Sequence, residues 1–487
     1  MKSNILLLSS SFEDETRSAT VHPDNHYPIG LGYIHSYLES KRHSVQTLFL
    51  NDYPFDQCLN IFEENIINFK PNIIGIQMLT NNRVSSFRII EYLHDHHPSI
   101  RIIIGGIHAS LMHEQILDKY PYLVAVLGEG ELTFSELAES IGAGKNIDSI
   151  KGIAYCNDLG NIVRTPQREL IENLDVLPFP KHSAFFQNNR KVAGILTSRG
   201  CPFSCSFCCL DMVSRRKVRY RSVDNVIKEI LYLKNSFPKL KTIWIHDDSF
   251  FLDNDRAISI CDEIVKNKIK LKFICSGRMK PVSKKLVKSM ERAGFTYVLL
   301  GLESGSAKIL KNCHKGISPD DAINIFRLFK NSSIELATFL IVGLWGEDDN
   351  SISETIDLVR ALQKIKYTFY GDIGVLYIYP GTEIYEIAKT AGIIDDNYWM
   401  SVNPVPFFTV EHGVDKLFEY KNTILNSVSF MRIFTKDGFK AQKAMLSDIA
   451  KYCIKHPSLV YWFYKNILKT GISRYFGNKE NVHAISS

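Results

Sequence analysis

Cys201-Pro-Phe-Ser-Cys205-Ser-Phe-Cys208 sets three cysteines in a C-x3-C-x2-C arrangement, directly after an apolar run (Val192-Ala-Gly-Ile-Leu-Thr197) and Ser198-Arg-Gly200. Thiolates are the usual protein ligands of iron–sulfur clusters. Three of them can hold three irons of a [4Fe–4S] cube and leave the fourth iron open to a small molecule. Structural zinc is the competing occupant. It needs a fourth ligand and usually draws on paired C-x2-C units. Cys209 would have to supply that ligand, and neighbouring backbone positions rarely aim at one ion. The flanking residues agree with the cluster.

The cysteine loop does not stand alone. Strand-like runs end in polar or glycine-rich segments: Trp244-Ile-His-Asp-Asp-Ser-Phe-Phe251, Cys275-Ser-Gly-Arg278, Gly301-Leu-Glu-Ser-Gly305, Phe339-Leu-Ile-Val-Gly343 and Tyr379-Pro-Gly-Thr382. Within residues 191–395, strands are expected near 192–198, 242–246, 271–276, 296–301, 335–343 and 371–379. Helices are expected near 223–235, 255–268, 282–293, 319–330, 352–366 and 383–391. Such a rhythm builds parallel βα units. Parallel barrels carry their chemistry at the C-terminal ends of the strands, which is where the cysteine loop follows the first strand.

Residues 1–142 also alternate apolar and amphipathic runs. Strand candidates are Asn4–Ser9, Val45–Leu50, Ile73–Gln77, Arg101–Ile104 and Leu123–Leu127, with helices near 30–41, 57–69, 83–96, 111–119 and 131–141. This is the pattern of a doubly wound parallel sheet, whose ligands sit beyond the strand carboxyl ends at a topological switch point. The loops there are Ser9–Pro28, Met78–Arg83, Gly105-Gly-Ile-His108 and Gly128-Glu-Gly-Glu131. Their glycines would let a bulky ligand approach the backbone. Residues 143–190 hold a short β-like stretch and then Leu177-Pro-Phe-Pro180, which reads as a linker. Residues 396–487 carry one or two helices and a basic, aromatic end at Leu459–Leu468. It reads as a helix docked on the barrel, with peripheral contact to a membrane surface as the alternative.

A chain of 487 residues exceeds one hydrophobic core, so two or three domains are expected. Apolar content of 45% and charged content of 23% are those of a folded soluble protein. The net charge of +6 is spread along the chain. Arg215-Arg216-Lys217 reads as a solvated face, and no nucleic-acid partner is expected. Cysteines 58, 156, 209, 261, 275, 313 and 453 show no pairing pattern, which suits a reducing, cytoplasmic setting. The apolar core of Met1–Ser10 is too short for a signal peptide and is followed by Glu13-Asp-Glu15, so it reads as a buried strand. No run of apolar residues is long enough for a transmembrane helix.

The cysteine spacing, with an aromatic residue before the last Cys, resembles the radical S-adenosylmethionine (SAM) family. Tyr27-Pro-Ile-Gly-Leu-Gly-Tyr33, Pro71-Asn-Ile-Ile-Gly-Ile76, Gly105-Gly-Ile-His108 and Gly128-Glu-Gly-Glu-Leu-Thr-Phe134 resemble the cobalamin-binding domain that precedes many barrels of that family. The resemblance implies an α/β chain: a Rossmann-like cobalamin-binding domain, a partial (β/α)6 barrel and a small, mainly helical C-terminal region. Cys201, Cys205 and Cys208 would ligate the catalytic cluster, with the amino and carboxylate groups of SAM on the open iron. Phe207 would pack near adenine. Asp247 and Asp248, in place of the family's Gly-Gly-Glu stretch, would lie toward the SAM amine. Ser276 and Arg278 would face the methionine end, Glu303 would bind ribose, and Gly343 and Leu344 would line the adenine side. Against these roles stand a buried ion pair for Glu303 and Arg278, and helix capping for the two aspartates. Gly105, Gly106, His108, Gly128, Glu129 and Gly130 would touch cobalamin. The D-x-H-x-x-G motif that gives cobalt a lower His ligand elsewhere is not met, because Asp24-Asn-His26-Tyr-Pro-Ile-Gly30 has one residue too many. Neither His26 nor His108 is expected beneath cobalt.

Two such cofactors in series imply methyl transfer to an unactivated carbon. A 5′-deoxyadenosyl radical takes a substrate hydrogen, and the carbon radical then takes a methyl group from methylcobalamin. A cobalamin-assisted radical cyclase or ring-forming oxidation is the alternative. A cobalamin-binding sensor with a non-catalytic barrel conflicts with the complete cysteine triad. The implied partners are a small-molecule or lipid-like substrate and an external electron donor of flavodoxin or ferredoxin type.

Overall fold

The computed structural model describes residues 2–12, 27–51, 53–186, 190–366, 368–369, 373–401 and 409–432. His26 and the basic, aromatic segment near residue 460 lie outside them. Two compact units divide the chain, Met1–Ile424 and Leu425–Ser487, and the elements below belong to the first.

The first sheet contains β1 (Asn4–Ser9), β2 (Ser44–Phe49), β3 (Ile73–Gln77), β4 (Arg101–Gly105), β5 (Val124–Val126), β6 (Ile153–Cys156) and β7 (Ile162–Arg164), in the order β2-β1-β3-β4-β5-β6-β7. The first five are parallel. β1 is buried along five of its six residues, as expected of a strand covered on both faces. The chain reverses its direction of winding between β1 and β3, so the switch point lies at their carboxyl ends. β6 and β7 add antiparallel to the far edge, so the stretch expected inside a linker extends the sheet instead. The segment after them is packed as well: Leu174, Leu177 and Phe185 are buried in the core on the same face as helices Ile29–Ser40 and Gly130–Gly142. The single helix expected at 111–119 is two, Ile107–Leu111 and His113–Lys119.

The second sheet is a curled half-barrel of parallel strands: β8 (Val192–Ile195), β11 (Thr242–Ile245), β12 (Lys272–Arg278), β13 (Phe295–Glu303) and β14 (Glu335–Val342), paired in chain order. The short pair β9 (Ser198–Arg199) and β10 (Arg219–Tyr220) forms a separate antiparallel ladder. The expected last strand is two short pieces, β15 (Thr368–Phe369) and β16 (Ile373–Val375), both on β14. Local chemistry starts the intervening helices. The side chains of Ser222, Ser283 and Asp348 each accept a backbone N–H of the first turn, and Ser318 and Asp321 form a reciprocal capping box.

The two sheets share a core. Leu6, Ile74 and Ile104 of the first pack in one cluster with Leu344, Leu376, Ile378 and Trp399 from the far end of the barrel. A buried polar chain closes the opposite side. Tyr27 Oη lies 2.7 Å from His182 Nδ1, His182 Nε2 lies 2.7 Å from Glu229, and Glu229 also accepts from Arg221. All four residues are at most 7% exposed, so these charges are paired at a position where an unpaired one would be costly.

Candidate active site

The cysteine loop leaves β9 and is fixed from below by two backbone hydrogen bonds. Ser206 N donates to Cys313 O (3.1 Å), and Ile384 N donates to Ser206 O (3.1 Å). Cys201, Cys205 and Cys208 are all partly exposed. Burial pushes the Cys208 thiol up to about 12, and the nearby thiols of Cys209, Cys205 and Cys201 push the same way. A bound metal cluster reverses that repulsion by holding the sulfurs as thiolates. Among the described residues, no three His, Cys, Asp or Glu side chains converge as ligands of a single ion.

Arg278 ends β12 beside this loop. Its Nη1 lies 3.5 Å from Cys205 Sγ, and its guanidinium stacks 3.7 Å from the ring centre of Phe203. It is buried, yet its Nε and Nη2 have no hydrogen-bond partner among the described residues. Two buried, partnerless donors next to a cysteine loop are a receptor for an anion, which fits the carboxylate of SAM. Ser276, two residues earlier on the same strand face, is partly exposed.

The two aspartates separate. Asp247 is buried, and its carboxylate accepts from Thr197 N (2.6 Å), Ser198 N (3.1 Å) and both of their hydroxyls. Its oxygens are committed to the strand, so the expected contact with the SAM amine is not available to it. Burial raises its carboxyl, against those hydrogen bonds. Asp248 keeps one edge open to solvent while its carboxyl is packed among its neighbours. One oxygen accepts from Gly200 N (2.9 Å), and that packing, followed by the charge of Asp247, raises the carboxyl to about 6.

Glu303 ends β13 with a left-handed backbone (φ 67°), at a register shift between β13 and β14. A non-glycine residue held in that conformation is a strain that surrounding structure must enforce. Its Oε1 pairs with Lys315 Nζ at 2.7 Å, both side chains being at most 8% exposed. The partner is Lys315, not Arg278. A Cβ on Gly301 would stand 2.6 Å from that oxygen and 2.9 Å from the ammonium, so the pair occupies space that only glycine leaves. Lys315 Nζ also sits 5.8 Å from the ring centre of Phe207. Gly343 (φ 93°) donates its N–H to Glu347 at 2.6 Å. Leu344, expected to line the adenine side, instead has its side chain buried in the shared core.

At the switch point of the first sheet lies a cavity of about 200 Å³. Leu7, Ile76, Ile103, Val126 and Phe134 give it apolar walls, and Gly105, Gly106, Gly128, Glu129 and Gly130 line its mouth. At Gly30 and Gly128, no described heavy atom lies within 4 Å of where a Cβ would stand, so side chains there would fill the space. The volume suits one bicyclic aromatic group, such as the nucleotide base of cobalamin, and the glycine backbones fit close approach of its sugar and phosphate. His108 departs from expectation. It is fully buried, does not line the cavity, and faces Thr80 at 3.2 Å; burial lowers it to about 3. Starting the helix Ile107–Leu111 turns its ring inward.

Sequence reasoning passed over Lys315, Phe203, Glu347 and Arg199. Arg199 lines the cavity, and Cys201 follows two residues later. A lone Lys or Arg has no spacing to betray it. The nearest signal was the position of Arg199 in Ser198-Arg-Gly200, between a strand and the first cysteine.

Together the half-barrel and the switch-point cavity define a class, the radical SAM enzymes that carry a corrinoid domain. Known proteins agree. The Radical SAM superfamily matches residues 195–359 and the B12 binding domain matches residues 19–138, more than half of the chain between them. The chain belongs to the cobalamin-binding branch of the radical SAM superfamily, whose cofactors are a [4Fe–4S] cluster, SAM and cobalamin. Enzymes of this superfamily act on small molecules and need a reductant. An uncharacterized methyltransferase of Pyrococcus horikoshii is 28% identical over 394 residues, covering 79% of this chain and 83% of that one. The anaerobic magnesium-protoporphyrin IX monomethyl ester cyclase of Rubrivivax gelatinosus is 27% identical over 354 residues, covering 68% of this chain and 62% of the cyclase, less than two thirds of its length. The cobalamin-dependent S-adenosylmethionine radical enzyme OxsB, solved with aqua-cobalamin and SAM, superposes with a TM-score of 0.65 at 20% identity, over 80% of this chain and 61% of that one. The radical SAM methyltransferase TsrM of Kitasatospora setae superposes with a TM-score of 0.65 at 20% identity, over 83% and 78%. At those identities the two structures establish the shared fold.

Proposed function

We propose that this protein is a cobalamin-dependent radical SAM methyltransferase that alkylates an unactivated carbon of an apolar small molecule. The observation that carries the reading is adjacency: Arg199 lines the cavity of the first sheet, and Cys201 of the cluster loop follows it by two residues. Bound together, the cofactors supply radical hydrogen abstraction and a transferable methyl group. The chain holds and orients them. Cys201, Cys205 and Cys208 take the cluster. The partnerless donors of Arg278 take the methionine carboxylate, the second oxygen of Asp248 faces the amine, Glu303 takes the ribose, and the backbone at Gly343 borders adenine. Gly105, Gly106, Gly128 and Gly130 admit the cobalamin nucleotide. Inside the half-barrel, alternate positions Trp244, Ile274, Tyr297 and Leu299 stay partly exposed and Phe339 is 43% exposed, which suits an apolar or lipid-like substrate.

The methyltransferase among the relatives is matched over more of its length than the cyclase, which favours methylation over ring formation. The reductant is an external donor of flavodoxin or ferredoxin type. Every described cysteine is free, consistent with a reducing, cytoplasmic setting. No helix among the described residues is long and apolar enough to cross a membrane.

The test is anaerobic reconstitution with iron, sulfide and cobalamin, then SAM, reductant and host extract. The expected result is S-adenosylhomocysteine, 5′-deoxyadenosine and a metabolite heavier by one CH2. Formation of 5′-deoxyadenosine with no S-adenosylhomocysteine would replace methylation by cyclisation. A Cys205→Ala variant that keeps full iron and SAM cleavage would sink the cluster assignment.

A further inference from the structure

Four charged side chains meet between the cavity and the cysteine loop. Arg199 Nη1 lies 3.0 Å from Glu129 Oε1, and Arg199 Nη2 lies 2.7 Å from Glu131 Oε1. Arg219, opposite Arg199 in the β9–β10 ladder, donates to the other oxygen of Glu129 at 2.8 Å and to Ile171 O at 2.9 Å. Ile171 N donates back to that same oxygen at 3.0 Å. The guanidinium of Arg199 stacks 4.8 Å from the ring centre of buried Tyr33. The four side chains are 5–15% exposed. Both oxygens of Glu129 therefore take part in the cluster while the residue also lines the cavity.

One end of this cluster lines the cavity and the other adjoins the cysteine loop. Glu129 ends the loop that walls the cavity and Glu131 stands in the first turn of the helix Gly130–Gly142 that follows it. Arg199 lies two residues before Cys201. A planar guanidinium that bonds two carboxylates at once fixes distance and angle, which a single ammonium does not.

We propose that Arg199, through Glu129 and Glu131, is a positioning residue that locks the cobalamin-binding loop against the cluster loop and so sets the separation of the two cofactors. The proposal rests on the cofactor reading above. Removing Arg199 alone would strand Glu131 as a buried, unpaired carboxylate and could unfold the region. The double variant Arg199→Met/Glu131→Gln removes one charge of each sign and keeps the Glu129–Arg219 pair.

The experiment uses reconstituted full-length protein and two readouts independent of turnover. One is the affinity for cob(II)alamin, titrated by absorbance. The other is electron paramagnetic resonance with cob(II)alamin and the one-electron-reduced cluster both present, whose mutual splitting falls with the cube of their distance. The double variant is expected to keep wild-type iron content and SAM affinity. Its cobalamin affinity should fall by about tenfold or more, the size of one lost charge-assisted hydrogen bond. Its splitting should broaden or vanish, and Arg199→Lys should fall between. Cobalamin affinity within about twofold of wild type, with an unchanged splitting, would overturn the proposal and leave the cluster a structural ion group. Wild-type protein that binds no cobalamin would instead overturn the underlying cofactor reading, and is seen before any variant is made.

Discussion

Glu303→Gln separates two roles that the structure superimposes on one side chain. The carboxylate is in a buried pair with Lys315 at 2.7 Å, and it is also the residue proposed to bind the SAM ribose. Glutamine keeps the shape and one acceptor for Lys315, so the pair weakens from a charge-assisted to a neutral hydrogen bond. That difference, with a buried ammonium left uncompensated, should lower folding stability by about 2–3 kcal/mol. Lys315→Met leaves the bare carboxylate behind and should cost about 3–5 kcal/mol. The double variant removes both charges and should recover part of that loss, giving a coupling energy of about 2 kcal/mol in a double-mutant cycle. SAM binding should behave otherwise. Glu303→Gln should lower SAM affinity by about tenfold, equal to about 1.4 kcal/mol, and the double variant should not restore it. Urea unfolding gives the first quantity and equilibrium dialysis of SAM against reconstituted protein gives the second. If stability falls while SAM affinity holds, Glu303 serves only the ion pair. If the double variant regains SAM affinity, the variants act on SAM through the stranded charge and not through a ribose contact.

Two further predictions concern Glu347 and Gly30. Burial, with Asp348 and Glu411 nearby, raises the buried carboxyl of Glu347 to about 7. A carboxyl whose folded value lies above its unfolded one stabilises the protein at low pH and loses that contribution as pH rises through 7, a change of up to about 3 kcal/mol. Glu347→Gln keeps an acceptor for Gly343 N and should be more stable than wild type at pH 8 but not near pH 5; parallel urea midpoints across that range would refute the assignment. Gly30→Leu should place a side chain in the cavity without disturbing helix Ile29–Ser40, so cobalamin binding should be lost while the thermal midpoint holds or rises slightly. Cobalamin titration and circular dichroism check it, and retained affinity would place the nucleotide elsewhere.

The sheets were legible because their strands are buried on both faces. Runs such as Ile5-Leu-Leu-Leu8 and Ile73-Ile-Gly-Ile76 are apolar throughout and end at polar or glycine residues, so their limits follow from composition alone. The three cysteines were legible because their spacing is local. What escaped reading was set by contacts far apart in the chain. Glu129 and Arg199 are 70 positions apart, and β6–β7 pairs only because β5 offers an open edge. The aspartates show a third kind of limit. Asp247 and Asp248 are adjacent, and successive residues of extended chain point to opposite sides, so at most one could face the cofactor. Which one was decided by Thr197 and Ser198 across the sheet, not by the sequence around the pair.

Those same hydrogen bonds explain how a flexible-looking loop can hold a cofactor. The residues from Thr197 to Gly200, just ahead of the first cysteine, are all tied to elements outside their own strand. Thr197 and Ser198 are held by Asp247 at the end of β11, and Arg256 donates to Thr197 O at 2.7 Å. Arg199 is held by the cavity loop of the first sheet. Gly200 donates to Asp248 and adopts φ 94°, where a Cβ would stand 2.1 Å from Lys217 O, so no other residue fits. Cys201 thus begins from a fixed point. Its neighbours Cys205 and Cys208 are then fixed by Ser206, which bonds Cys313 on one side and Ile384 on the other. The end of β11, the cavity loop, the Cys313 carbonyl and the sixth βα unit each hold a point of the loop. Anchors of this kind let a ligand set present its sulfurs to a rigid cube without metal to organise it first.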